Sequence, residues 1–178
     1  MVQLSYQSGS DVARIAPELG ELYAEVYAEP PYEWGAEHVR LFLERLEALR
    51  HEPGFALLTA EADQLVGFVL GVTLLTNTSW WSDLVAPLPP DVTEEWPGRT
   101  FAVLELLVRA GWRGRGVGRA LHHRLLSGRH EERATLTALP EAKPAQAAYA
   151  RWGWQRIGQR RNPLPGSPVF DILLKRLR

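Results

Sequence analysis

Eight consecutive residues, Arg113-Gly114-Arg115-Gly116-Val117-Gly118-Arg119-Ala120, combine three glycines with three arginines. Glycine reaches left-handed backbone conformations and lets a ligand come close to the main chain. Arginine adds a charge that physiological pH does not remove. A turn of this composition aims backbone N–H groups at an anion, and a phosphate-bearing ligand is the chemistry it fits. The stretch lies between a strand-like run, Phe101 to Val108, and a helix-like run, Val117 to Leu126. A strand feeding a glycine-dense turn that opens a helix adds the helix dipole to the same site.

Two common phosphate loops do not match. A kinase-like P-loop needs Gly-Lys-Ser or Gly-Lys-Thr, and Gly116-Val117-Gly118-Arg119 has neither. A dinucleotide-binding turn needs Gly-x-Gly-x-x-Gly or Ala. Counting from Gly114 puts Arg119 in the third position, and counting from Gly116 puts Leu121 there.

A second candidate is Glu105, a carboxylate inside an otherwise apolar strand. Burial there raises its pKa towards a value useful for a base, while a carboxylate on an open sheet face paired with an arginine is the structural alternative. No Ser-His-Asp grouping and no metal-like spacing occurs, and His122-His123 reads as a partly solvated pair. The chain has no cysteine, which excludes disulfides, thiolate metal ligands and cysteine nucleophiles.

The elements that must position these residues follow from periodicity and punctuation. Val2 to Tyr6 alternates as a short strand. Ser10 caps a short turn, and Pro17 opens a helix through Leu19, Leu22, Tyr23 and Val26 that stops before Pro30-Pro31. Ala36 to Arg50 is an amphipathic helix. Phe55 to Glu61 and Leu65 to Leu74 form an antiparallel hairpin. A proline- and tryptophan-rich connection then spans Thr76 to Arg99, a length that points to a functional loop. After the central strand, turn and helix come a strand Ala134 to Leu139, a helix from Pro144 to Trp152, and a closing strand pair, Trp154 to Gln159 with Val169 to Leu174. The order β-α-α-β-β-β-α-β-α-β-β defines an α/β fold with a mixed sheet and helices on both faces.

Composition sets outer bounds. At 178 residues with 46% hydrophobic and 23% charged residues, a single soluble domain over 1–178 is the expectation. A formal net charge of −1 gives no reason to expect nucleic acid or a membrane surface as partner. No signal peptide is visible and no apolar run is long enough to span a bilayer, so the reading is cytoplasmic.

What does fit the turn is Arg-x-x-Gly-x-Gly, carried by Arg113, Gly116 and Gly118. Leu106-Leu107-Val108, four further residues, and then Arg113 to Leu121 resembles the coenzyme A motif of the GCN5-related N-acetyltransferase (GNAT) superfamily. Downstream, Ala145 to Trp154 is similar to the family's second landmark, a helix whose tyrosine, Tyr149, stands four residues before Gly153-Trp154. The sharp motifs cover 104–121 and 145–154, and the similarity in element order covers nearly the whole chain.

The resemblance implies a mostly antiparallel sheet and acetyl-CoA as co-substrate, with no metal. Its pyrophosphate would meet Gly114, Gly116, Val117 and Gly118, with Arg113, Arg115 and Arg119 around it, and its pantetheine arm would pair with the main chain of Leu106-Leu107-Val108. The implied activity is transfer of an acetyl group to a primary amine of a small molecule or peptide, by direct attack on the thioester. Tyr149 matches the tyrosine that protonates the departing thiolate, and Glu105 is the candidate base, acting directly or through water. Alternatives are a non-catalytic acyl-CoA-binding or regulatory module, another acyl donor, or an alcohol acceptor. One departure is Ala142, where many relatives carry an asparagine seven residues before the tyrosine; Pro144 takes over helix initiation.

The family builds its acceptor side from N-terminal helices and variable loops. Those regions hold Tyr27, Tyr32, Trp34, Trp80, Trp81 and Trp96, with Glu25, Glu29, Glu33, Asp83, Glu94 and Glu95 among them. Aromatic faces with acidic neighbours suit a cationic or aromatic amine. Core closure or a homodimer interface is the competing use of the same residues.

Overall fold

The computed structural model describes residues 1–162 and 166–178. Its strands are β1 (Gln3–Gln7), β2 (Ala56–Glu61), β3 (Leu65–Thr73), β4 (Thr100–Val108), β5 (Arg133–Ala138), β6 (Gln155–Arg161) and β7 (Val169–Arg176). Its helices are α1 (Gly9–Tyr27), α2 (Ala36–Leu49), the short α3 (Pro90–Thr93), α4 (Val117–Ser127) and α5 (Lys143–Arg151). Hydrogen bonding orders the seven strands β1-β2-β3-β4-β5-β7-β6. The β4–β5 pair is parallel, and β1–β2, β2–β3, β5–β7 and β6–β7 are antiparallel, a mixed sheet as the element order predicted.

The chain forms two compact units, Met1–Val72 with Val103–Arg129, and Thr73–Ala102 with His130–Arg178. In the first, α1 starts earlier than the sequence predicted. Ser8 is its N-cap and closes a capping box with Asp11, accepting from the Asp11 N–H while the Asp11 carboxylate accepts from the Ser8 N–H. Pro17 therefore lies inside the helix instead of opening it. An interior proline removes one i→i−4 bond and crowds the preceding turn. Here burial of Val12 and packing of Ile15 and Ala16 hold the turn in front of it. The apolar faces of α1 and α2 meet β2 and β3 in one core built on Leu19, Leu22, Phe42, Leu46, Leu57, Phe68 and Leu70.

That core carries the second half of β4. A Cβ added to Gly67 on β3 would lie 2.8 Å from the Leu107 carbonyl oxygen, so glycine is what allows β3 and β4 this close. The Arg109 N–H and guanidinium continue the contact, donating to the carbonyls of Val66 at 2.9 Å and Leu65 at 2.8 Å.

In the second unit β4 begins beside β5, with Thr100, Phe101 and Ala102 opposite Arg133, Ala134 and Thr135. Arg133 is buried and donates to Thr100 Oγ1, to the Val92 carbonyl and to Glu95, at 2.8, 2.7 and 2.9 Å. Trp81 donates its indole N–H to the same Glu95 oxygen at 2.9 Å. The long connection is thus tied down, through α3 and a bridge from Leu84 to Arg160, and it is not an open loop.

Replacing Gly67 with alanine is expected to lower unfolding stability by about 1–3 kcal/mol in denaturant titration, because the new methyl meets backbone that cannot rotate away. A loss below about 0.5 kcal/mol would contradict this packing of β3 on β4.

Candidate active site

At the end of β4 the chain makes a 3-10 turn, Ala110–Trp112, and then Arg113 extends with φ −70° and ψ 154°. Gly114 and Gly116 follow with φ of +72° and +83°, the left-handed region that a side chain disfavours. Gly116 is the N-cap of α4 and supplies no side-chain cap. The first intrahelical bond runs from the Ala120 N–H to the Gly116 carbonyl at 2.9 Å, so the amides of Val117, Gly118 and Arg119 have no acceptor within the helix. A Cβ at Gly114 or Gly116 would meet nothing within 4 Å, which leaves the main chain approachable at both residues.

The three arginines of the turn differ in use. Arg113 donates Nε to the Val108 carbonyl at 2.9 Å and both terminal nitrogens to Glu29 at 2.7 and 3.2 Å. Its charge is therefore spent on the protein, and it ties the last carbonyl of β4 to the connection after α1. Arg109 makes a parallel ion pair with Glu25, one helical turn before Glu29. Arg115 stacks its guanidinium over Trp112 at 5.3 Å, and Arg119 is exposed on the first turn of α4.

Glu105 is 6% exposed and both its oxygens are bonded. Oε1 accepts from an Arg45 terminal nitrogen at 2.6 Å, and Oε2 accepts from the Tyr27 hydroxyl at 2.6 Å. Burial pushes its carboxyl up; the Arg45 charge and then the Tyr27 and Arg45 hydrogen bonds oppose that, and the balance stays above the usual carboxylate range. Glu105 is buried, as the first reading from the sequence expects, and the arginine pairing of the second is present without the open sheet face. Around it Tyr23 stacks on Phe42 at 4.3 Å, Tyr27 lies 4.5 Å from Tyr23 and 4.6 Å from Trp34, and Tyr32 packs edge-on to Tyr27 at 4.8 Å. Burial first, and then the Glu105 charge, push the hydroxyls of Tyr23, Tyr27 and Tyr32 upward.

The first unit thus brings together Glu105, Leu106, Leu107 and Val108 with the turn 113–119. Tyr149 belongs to the second unit. It is half-buried on α5, edge-on to Trp152 and Trp154 at 5.8 and 6.0 Å. Its carbonyl accepts from the Trp154 N–H at 3.0 Å across Gly153, whose φ of +85° closes the helix. Ala142 is the N-cap of α5 without a side-chain bond, and Pro144 occupies its first turn, as read from the sequence. His122 corrects the sequence reading: it is buried at 6% exposure and only His123 is exposed, because helix periodicity turns position 122 towards Leu121 and Leu125 on the packed side.

Arg45 and Arg109 carry much of this geometry and were not singled out in the sequence. A signal for Arg45 exists: positions three and four residues to either side are Phe42, Leu41, Ala48 and Leu49, all apolar, so no carboxylate on its own helix can pair with it. Arg40, by contrast, binds Glu37 and Glu44 on α2 itself. Three of the six carboxylates expected beside the aromatics are likewise committed, Glu25 to Arg109, Glu29 to Arg113 and Glu95 to Arg133. Among the described residues no cluster of three or more metal-ligating side chains occurs, and no helix is long and apolar enough to cross a membrane.

A family model for the acetyltransferase (GNAT) family matches residues 19–154, and the chain belongs to that family. Solved structures share its fold at low identity. The protein PH1933 of Pyrococcus horikoshii OT3 superposes with a TM-score of 0.71 at 18% identity, covering 99% of this chain and 98% of the other. A PaiA N-acetyltransferase of Thermoplasma acidophilum in complex with coenzyme A gives 0.61 at 14%, covering 99% of both chains. The putative acetyltransferase YncA of Salmonella typhimurium, solved with acetyl-CoA, gives 0.65 at 14%, covering 100% of this chain and 95% of the other. None of the curated proteins matches it in sequence.

If the turn is held by glycine's backbone freedom, Gly116→Ala loses about 1–2 kcal/mol of stability with no steric clash to explain it. Gly111→Ala, five residues earlier and with equally open space around its Cβ, should change stability by no more than about 0.5 kcal/mol. Equal effects of the two in thermal unfolding would contradict the assignment of strain to position 116.

Proposed function

We propose that this chain transfers an acetyl group from acetyl-CoA to a primary amine. The observation that carries the reading is the opening of α4: two left-handed glycines present first-turn amides that no side chain caps. An uncapped helix N-terminus with approachable main chain suits a pyrophosphate. Because Arg113 is engaged by Glu29, the amides of Gly114 to Arg119 do most of this binding, with Arg115 and Arg119 as the further cations. The backbone of Leu106-Leu107-Val108 is assigned to the pantetheine amides by strand-like pairing.

Acetyl-CoA supplies an activated thioester. The amine nitrogen forms a bond to the acetyl carbon, the carbon–sulfur bond breaks, and its electron pair leaves on sulfur. Glu105 takes the proton that the amine loses, and Tyr149 gives its hydroxyl proton to the sulfur. Proton return from Glu105 to Tyr149 through solvent restores both groups, and the products are an acetamide and free coenzyme A thiol. The role of Tyr149 rests on its match to the family motif, and that of Glu105 on its place in an apolar strand beside Leu106-Leu107-Val108 and on its burial.

Calorimetric titration with acetyl-CoA is expected to show one binding event, and no heat at millimolar cofactor would end this reading. In a thiol-release assay over a panel of alkyl and aromatic primary amines, Tyr149→Phe should lower kcat on the order of 10²-fold while leaving the acetyl-CoA dissociation constant unchanged. Glu105→Gln should lower kcat by about 10²–10⁴-fold. Unchanged turnover in either variant removes that residue from the chemistry.

A further inference from the structure

Arg45 is an unusual ion-pair partner. It stands on α2 with only apolar residues three and four positions away, its side chain is 48% exposed, and it reaches off its own helix to a carboxylate that is 6% exposed. Ordering a long side chain in one direction costs up to roughly 2 kcal/mol in rotamer entropy. At the other oxygen, Tyr27 comes from the last turn of α1 and donates its hydroxyl from a ring packed against Tyr23, Tyr32 and Trp34. Each oxygen of Glu105 thus has one donor from a different helix, at the same 2.6 Å. Such short bonds are those of donors to an ionised acceptor.

We propose that Arg45 and Tyr27 are positioning residues that fix the Glu105 carboxylate in one orientation and keep it in its proton-accepting form. The inference rests on the reading of Glu105 as the base. A buried carboxyl with no partner takes up a proton and can no longer accept one at neutral pH. A carboxyl bound by strong donors at both oxygens without burial would be too weak a base to take a proton from an amine. Burial with two donors lies between, and the proton affinity of Glu105 is then set by the two helices. The other groups facing Glu105 do not replace the pair. Tyr23 and Tyr32 are neutral phenols, their protons held more tightly by burial and by the Glu105 charge. Arg113, whose charge acts on Tyr32, is bound to Glu29, and His38 stacks on Trp34 at 4.9 Å.

The test is a titration that needs no acceptor. Carbon-13 NMR of protein labelled at the glutamate side-chain carboxyl carbon, with the Glu105 signal assigned by its loss in Glu105→Gln, gives the protonation midpoint directly. Arg45→Met is expected to raise the midpoint by about one to three pH units, since an opposite charge within a few ångströms is removed. Tyr27→Phe should raise it by a smaller amount, and Arg45→Lys should restore most of the loss. Arg45→Met exchanges a half-exposed side chain and Tyr27→Phe removes one oxygen, so either alone decides the matter if the other fails to fold. Midpoints unmoved in the folded variants would overturn the proposal. Failure of the base reading has a separate sign, unchanged thiol release in Glu105→Gln, which leaves the titration result untouched.

Discussion

A carboxylate buried in an apolar strand is the constraint around which the first unit is arranged. Moving an ionised carboxyl out of water without partners is prohibitive. Glu105 on β4 therefore needs donors, and β4 has none to give. They come from the end of α1, through Tyr27, and from the middle of α2, through Arg45. Tyr23, Phe42, Trp34 and Tyr32 pack on one another between the two helices. The position of both helices over β4, the geometry of the connection that holds Tyr32 and Trp34, and the chemical state of Glu105 follow from this one requirement.

A second regularity is the pairing of arginine with carboxylate at each end of the same region. Glu25 and Glu29, one turn apart, hold Arg109 and Arg113, which bracket the 3-10 turn between β4 and the glycine turn. These pairs are partly exposed and contribute at most about 1 kcal/mol each. Their effect is on placement: Arg113 reaches back to the Val108 carbonyl and joins the end of β4 to the start of the turn. The guanidinium most prominent in the motif is then a structural tie, and in the proposed coenzyme A site anion binding would fall to main-chain amides and to Arg115 and Arg119. Of the acidic residues placed among the acceptor-side aromatics, Glu25, Glu29 and Glu95 are neutralised by arginines of this chain.

Local signals in the sequence carried the order of elements, the hairpin of β2 and β3, the left-handed glycines, and the helix end at Gly153-Trp154. Each depends on residues within a few positions of one another. The start of α1 lies outside what local signals show, because Pro17 is a strong local signal and the Ser8–Asp11 capping box and the packing of Val12 outweigh it in three dimensions. The burial of His122, the partners of Glu29 and Glu95, and the reach of Arg45 to Glu105 involve contacts across 60 or more residues in the last case, or across separate elements. Spacing alone does not encode them. Arg45 comes nearest to being legible, since its apolar neighbours at helical spacing leave it without a local partner.

The central claim, that the opening of α4 is a coenzyme A site fed by β4, is tested most directly by nitrogen-15-resolved amide shifts on titration with acetyl-CoA. The account predicts that the largest shifts fall on Gly114 to Arg119, with a second group at Leu106 to Val108. Saturable binding that leaves the amides of Gly114 to Arg119 unmoved would contradict it.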